Sequence, residues 1–435
     1  MTDVIDTILK QAERHSSSCE VFHQNGEVQS VVFENNNLKK ISTRQYEGIG
    51  LRLIIDGRIG FASSTDLRSP ADLVDMARES AQFGDQAQFD FPEPPSSLHE
   101  VNTADHSISD WRADDIKEMG AQALEESRNS NENYLFSATI TTSSCDERLV
   151  NSRGLDITRP STRMSASTEI QETREDGLLQ AYESKSWNQP FSSILDITRD
   201  ALQKMKQGSR VVSPSTATMP VIFVPKSVHN LLRPIMTAVN GKLVHKGSSV
   251  LADRVGEHIL DPRLSIYDDA TIDFAPGSTS MDDEGWPTDK FPLFEEGVLR
   301  NYLIDQQTSG HLNMEPTGSG YRSYSKRPSP SSSNTIILPG SMDLEDCIRG
   351  MDRALIVDQT LGSGQSNTLA GEFSVNVSLG LLVEDGTIRG RVKDAMVAGN
   401  VYDLLKQIEG LGREQKWCGS NYLPFICIKE MKLST

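Results

Sequence analysis

An α+β fold in two parts is what this sequence predicts: an N-terminal domain of α/β type over residues 1–210, with a meander sheet and flanking helices, followed by a β-rich C-terminal domain over 211–435. Three observations point there. Short β-branched runs between Glu20 and Ser63 are separated by tight-turn residues. A polar stretch, Ser209–Thr218, combines a helix stop, a proline and serine-threonine enrichment. Beyond it, between Val228 and Arg322, apolar runs alternate with Gly-rich and acidic breakers such as Gly277-Ser278, Asp282-Asp283-Glu284-Gly285 and Thr317-Gly318-Ser319-Gly320, which reads as a β-rich platform.

In chain order, Ile5, Ile8, Leu9 and Ala12 fall at helical spacing within 4–15. Strand signals follow at 20–23, 29–33, 48–53 and 57–63. Ser69 as N-cap with Pro70 at the first helical position opens a helix to about Phe83. The Pro/Ser-rich crossing 89–97 is a loop, and a second helix spans about 110–127. Strands resume at 134–141 and 148–151, the pattern of 195–205 is helical, and Met219–Pro225 is a buried strand. In the platform, Phe291–Phe294 and Val298–Ile304 are strands.

Composition excludes several function classes. With 43 Lys and Arg against 61 Asp and Glu the formal charge is -18, and no basic run interrupts it. Nucleic-acid binding rests on a basic face that neutralises phosphates, so no direct DNA contact is expected. No stretch approaches the ~18 apolar residues of a membrane span, and Met1–Asp6 lacks the features of a secretory signal. Five cysteines without CxxC spacing fit reduced thiols, and a cytoplasmic location is expected.

Constellations that suggest chemistry each have a plainer reading. Contiguous carboxylates at Asp282-Asp283-Glu284 attract a divalent cation, yet neighbours on a turn point different ways, and the structural reading is preferred. Gly362-Ser363-Gly364 and Thr317–Gly320 lack the strand, helix and lysine context of phosphate-binding loops. Ser323–Lys326 matches SxxK by two positions only, with no KTG element after it. His229, His245, His258 and His311 make no pair at four- or five-residue spacing.

The segments Lys246-Gly247-Ser248-Ser249, Asp282–Gly285, Glu295–Leu299, Thr317–Gly320, Asn334-Thr335, Pro339-Gly340, Gly371–Ser374, Glu384–Gly386 and Gly399-Asn400 together resemble the TldD/PmbA family, the modulators of DNA gyrase grouped with the metallopeptidases. Weaker echoes reach the N-terminal half. The TldD branch of that family carries an HExxxH motif ahead of the KGSS-like lysine, with two zinc-binding histidines and a glutamate that activates water. By the family's spacing those positions are occupied here by Leu232, Arg233 and Thr237. The resemblance therefore implies the PmbA/TldE-like branch, with no catalytic residue and no metal in this chain. Cys418-Gly419 stands where the TldD branch takes a third, cysteine ligand, and is a weak remnant candidate.

The resemblance implies a subunit that assembles with a TldD-like metallopeptidase, zinc being held in that partner, and that takes unfolded peptides as extended strands. Gly318, Ser319, Gly320, Gly362 and Gly364 are the residues expected to help accept substrate. Such a chain is inactive alone and active beside its partner, with neither nucleic acid nor membrane involved. Two other readings stay open: a self-sufficient homodimeric metallopeptidase using Cys418, and a non-proteolytic peptide-binding module.

Overall fold

The computed structural model describes residues 2–362 and 367–434. Its first half is one antiparallel sheet, two three-stranded meanders joined through their first strands, with helices against it. Helix α1 (Thr2–Glu13) precedes β1 (Ser18–Glu34), β2 (Asn37–Ile55) and β3 (Arg58–Ser64); α2 (Pro70–Ala81) and α3 (Ala113–Ser130) follow. Strands β4 (Leu135–Asn151), β5 (Asp156–Arg174) and β6 (Gly177–Trp187) complete a six-stranded sheet ordered β3-β2-β1-β4-β5-β6, and α4 (Leu195–Gln207) packs on it. The strands are longer than their apolar runs: the paired segments expected at 20–23 and 29–33 form one strand, as do 134–141 and 148–151. The polar residues between them are retained because uninterrupted ladder pairing, Gly26 opposite Tyr46 and Cys145, satisfies their backbone groups.

The second half is a twelve-stranded sheet whose main path runs β11-β10-β9-β14-β20-β8-β15-β16-β17-β7. Its first members are β7 (Val211–Val212) and β8 (Ala217–Phe223), followed by α5 (Pro225–Ala238) and α6 (Gly241–His245). Then come β9 (Ile266–Asp269), β10 (Lys290–Glu295), β11 (Val298–Leu299), α7 (Gln306–Leu312), and the two-stranded β12 (Gly320–Tyr321) and β13 (Ser329–Pro330). Strand β14 (Thr335–Ile337), α8 (Leu344–Arg349), β15 (Arg353–Leu361), β16 (Glu372–Glu384), β17 (Thr387–Val392), β18 (Ala395–Asn400), α9 (Val401–Leu404), β19 (Ile408–Cys418) and β20 (Asn421–Ser434) complete it.

The stretch 228–322 is therefore not the strand-rich platform its pattern predicts. It holds most of α5, all of α6 and α7, and strands of two to six residues. The β-rich character lies after Thr335. Of the expected strand 298–304, Val298–Leu299 pairs with β10 and Leu303 makes a single parallel bridge to Asn240, donating its N–H to the Val239 carbonyl, while the Tyr302 hydroxyl donates to the Leu251 carbonyl at 2.6 Å.

Strand β8 shows how the sheet is buried on both faces. Ile222 joins a core that includes Phe136, Ile140, Met164 and Leu202 of the first half, while Val221 and Phe223 join the core under α5 with Leu231, Leu232 and Ile235. The alternation follows from the two-residue period of a strand. One hydrophobic core thus spans both halves, fixing α5 and the loops beside it relative to the first sheet.

Candidate functional site

Helix α5 begins with Pro225 at its first position, where the missing N–H costs nothing. Ser227 ties this end to β15 by donating its hydroxyl to the Val357 carbonyl at 2.6 Å. Pro234 lies inside the helix and is itself buried, and the helix runs on from Pro225 to Ala238, held by the buried stripe Val228, Leu231, Leu232 and Ile235. The opposite face presents His229, Arg233, Met236 and Thr237 to a cavity of about 380 Å³.

Across that cavity stand Pro330–Ser332 and the turn residues Ser420 and Asn421. Asn240, the N-cap of α6, spans it by donating its side-chain N–H to the Pro330 carbonyl at 2.8 Å. A second cavity of about 380 Å³ shares Ser332 and Ser420 with the first and continues to Arg159, Arg163, Ser278 and Tyr321. The two form one hydroxyl-lined groove. Its floor is rigid: Asn334 accepts from Gly277 N–H at 2.8 Å and donates to the Asp269 carbonyl at 2.8 Å and Ser278 Oγ at 2.9 Å.

The donors on α5 do not suit a zinc ion. Leu232 is packed in the core, Thr237 donates its hydroxyl to the Arg233 carbonyl at 2.8 Å, and Arg233 brings a positive charge. Burial and that same arginine lower the pKa of His229, leaving one neutral imidazole on this wall. Among the described residues no group of three or more His, Cys, Asp or Glu side chains is arranged to hold a metal.

Cys418 ends β19, one residue before the Gly419-Ser420 turn, where Gly419 takes φ +61. The turn lines the groove, but the thiol's charged neighbours are Glu183, Lys226, Lys204 and Lys416, and burial pushes its pKa up to about 11. It is a protonated thiol near neutral pH, a poor nucleophile and ligand. Around it lies a cluster that motif reading missed: Lys204 and Lys226 each pair with both Glu183 and Asp358, with Lys204–Asp358 and Lys226–Asp358 at 2.7 Å and Lys226–Glu183 at 2.8 Å. These four residues come from α4, α5, β6 and β15, so the square fastens the first turn of α5 to both halves.

The acidic triplet is engaged within the protein. Asp282 accepts backbone N–H groups from Glu284, Trp286 and Gly320 at 2.9–3.0 Å. Asp283 pairs with Arg159 at 2.6 Å and accepts the Arg322 N–H at 2.7 Å. Glu284 pairs with Arg52 at 2.6 Å and accepts the Gln306 N–H at 2.7 Å. Arg52 also meets Glu20 at 3.1 Å, and Glu20 meets Arg322 at 2.7 Å. Burial raises the pKa of Asp282, with Glu284 adding to it.

This network is where the Gly-rich loop goes. Gly318 sits at φ +65, a Cβ on Gly320 would collide with the Glu284 carboxylate, and Ser319 Oγ contacts Thr317 Oγ at 2.9 Å. Gly320 thus lies against the carboxylates of Asp282 and Glu284, Gly318 lies against the Pro287 carbonyl, and the groove-facing residue of this loop is Tyr321. Gly362 follows β15 at φ +82, and Gly364 lies outside the described residues. Ser323–Lys326 is a turn over the first sheet: Ser323 Oγ meets Ser325 Oγ at 3.1 Å, and the Tyr324 N–H donates to Gln24 at 2.8 Å.

Comparison with known proteins places this architecture. Residues 216–435 match the model of the PmbA/TldA metallopeptidase C-terminal domain, and 19–81 match PmbA/TldA metallopeptidase domain 1. An uncharacterized protein of Methanocaldococcus jannaschii is 27% identical over 409 residues, 93% of each chain. A metalloprotease PmbA homolog of Haemophilus influenzae is 24% identical across 94% of this chain and 88% of its own. Among solved structures, TldE from Thermococcus kodakarensis superposes with a TM-score of 0.92 at 24% identity, covering 99% of this chain and 100% of its own. A putative modulator of DNA gyrase from Thermotoga maritima gives 0.91 at 20% identity, with both chains fully covered. At these identities the two structures share the fold. No helix among the described residues is long and apolar enough to cross a membrane.

Proposed function

The chain belongs to the PmbA/TldD metallopeptidase family, and from that premise we propose that it is the metal-free, TldE/PmbA-like subunit of a TldD-type zinc metalloprotease complex acting on unfolded peptides. The observation that carries the reading is the α5 wall of the groove. At the family's motif positions stand a core leucine, a cation and a hydroxyl already bonded to its own helix. A zinc ion needs three or four nitrogen, sulfur or oxygen donors converging at about 2.0–2.3 Å, and these side chains supply no such set. Zinc and the water it activates belong, in this reading, to the partner.

What the present chain contributes is a surface for extended substrate. The groove from His229 to Arg163 is lined by the hydroxyls of Ser332 and Ser420 together with apolar Leu232 and Met236. Hydroxyls exchange hydrogen bonds with a peptide main chain whatever its side chains, which suits recognition of unfolded segments of varied sequence. The location implied for the complex is the cytoplasm.

The test is the zinc content per chain of the protein purified alone, with peptide hydrolysis assayed on the same sample and again after addition of a TldD-like protein. Expected are sub-stoichiometric zinc, no cleavage alone and cleavage in the mixture. Stoichiometric zinc whose chelation abolishes cleavage by the isolated chain overturns the reading in favour of a self-sufficient enzyme. Saturable peptide binding with no cleavage even in the mixture overturns it in favour of a binding module.

A further inference from the structure

On the other side of the Pro328–Pro330 segment from the groove lies a cavity of about 510 Å³ between α6 and α7, within the size range of small-molecule sites. Its lining is unusual for a chain of net charge -18: Arg52, Lys242, Lys246 and Arg327 supply four fixed positive charges, and His245 and His311 join them. Three carboxylates also face it, and each is committed. Glu284 pairs with Arg52 at 2.6 Å, Asp85 pairs with Arg327 at 3.0 Å, and Asp305 caps α7 by accepting the Thr308 N–H at 2.7 Å. Lys242 and Lys246, exposed on the last turn of α6, have no carboxylate within ion-pairing distance among the described residues.

The two imidazoles lie face to face, with centroids 3.9 Å apart and planes within 13°. Gln307 holds His311, its side-chain nitrogen 3.1 Å from Nε2 and 2.8 Å from the Gln86 carbonyl. Rings stacked this closely cannot both carry a proton cheaply, and two ammonium groups four residues apart on one helix turn repel each other. Nothing in the folding of α6 or α7 requires the arrangement: α6 is capped by Asn240 and α7 by Asp305. A multiply charged anion between the helices would remove both repulsions at once.

We propose that the cavity between α6 and α7 binds a phosphate-type oxyanion, held by Lys242 and Lys246 and by hydrogen bonds from the His245–His311 pair. A dianion or trianion suits the site better than a single carboxylate, because two ammonium groups without a carboxylate partner among the described residues line it beside two imidazoles. The ligand is either a free phosphate chain or the phosphoryl end of a phosphoester. The inference is independent of the peptide groove, from which it uses no residue.

The charges around His311 bear on its protonation. Burial, and then His245, lower the pKa of His311, while Asp305 and Asp85 oppose them. The remaining charges around the rings are Lys242 and Lys246 on α6, Arg327, and the Arg52–Glu284 pair. A bound anion favours the charged imidazole, while a phosphoryl ligand, with its own second pKa of about 6, loses charge in the same range, so the two effects oppose each other below about pH 6.5.

The experiment is isothermal titration of the full chain with inorganic pyrophosphate at low salt, at pH 6 and pH 8, in two buffers of different ionisation enthalpy. Expected are saturable binding at one site at both pH values, and a loss of roughly tenfold or more for each of Lys242→Met and Lys246→Met. Both lysines are exposed, so the variants fold, and an unchanged thermal midpoint verifies this. His311→Gln removes one imidazole, leaves both lysines in place and is expected to keep binding. Adenosine diphosphate as a second probe separates the sources: tighter binding than pyrophosphate assigns the site to a phosphoester, weaker binding to a free phosphate chain. Absence of saturable binding at pH 6, or binding that both lysine variants retain, overturns the proposal.

Discussion

Two polar regions of this molecule stand side by side and are built on opposite rules. Beside the groove, and reaching its wall at Asp283 and Arg159, the residues Glu20, Arg52, Glu284, Arg322, Asp283 and Arg159 are almost wholly removed from water and neutralise one another across the two halves. In the groove itself, hydroxyls, one neutral histidine, a leucine and the guanidinium groups of Arg163 and Arg233 face a cavity with no assembled metal-ligand set among the described residues. The density of charged residues is thus highest where no chemistry is proposed. Burial explains the difference: taking a carboxylate out of water costs several kcal/mol unless a cation and hydrogen bonds replace the lost hydration, so a buried acidic triplet must find partners inside the fold.

The comparison can be broken by removing one side of the buried network. Arg52→Met leaves Glu284 without its cation and Glu20 with Arg322 alone, and destabilisation of about 3–5 kcal/mol is expected in chemical denaturation. A loss under about 1 kcal/mol would mean that water already reaches these carboxylates. Next in size is Asp268, whose two oxygens accept from the Ser333 N–H and hydroxyl, yet whose pKa burial pushes up to about 7. Between the unfolded value of about 3.9 and 7 the folded chain holds a proton that the unfolded chain has released, so this group's contribution to stability falls as pH rises across that window. Asp268→Asn is expected to flatten that part of the profile and to raise stability at pH 8 by on the order of 2 kcal/mol; an unchanged slope between pH 4 and pH 7 would remove Asp268 as its source.

Smaller effects sharpen the contrast. Gly320→Ala forces a methyl group against the Glu284 carboxylate and is expected to cost about 1–3 kcal/mol, with no change in groove binding. In the groove, Thr237→Ala removes only a hydroxyl bonded back to its own helix. Its effect on stability should be about 0.5 kcal/mol or less by thermal denaturation, and a larger loss would show that Thr237 has a second, structural partner.

The fold was legible where local rules and burial agree. Pro70 starts α2 as its position predicts, the 195–205 pattern becomes α4, and the buried strand at 219 becomes β8. Strand β5 was missed because its run from Asp156 to Arg174 is polar at many positions and is held by pairing with β4 and β6 more than by composition. Helix α5 was hidden by Pro234 and by the expectation of strands around it. The Lys204–Glu183–Lys226–Asp358 square was out of reach, since four charges from four distant segments leave no spacing in the sequence. The stacked His245–His311 pair, 66 residues apart, carries no motif either. The groove was half legible: the resemblance pointed to Leu232, Arg233 and Thr237, but the opposite wall at Ser332 and Ser420 comes from tertiary packing alone.

Strand β20 pairs with β14, β8, β18 and β19 and so forms the spine of the larger sheet, although it is the last strand of that sheet to be synthesised. Its parallel neighbour β14 begins at Thr335, and β8 at Ala217, more than 200 residues earlier. While the ribosome is still extending the chain, β8 has only one of its two ladder partners, and its apolar edge stays open until Asn421–Ser434 emerges. The six-stranded sheet closes through hairpins and one β1–β4 crossover, all within residues 18–187, and can form during translation while the second half is still being made. The two halves therefore differ in when they become protected, and the second depends on whatever shields the β8 edge during the wait.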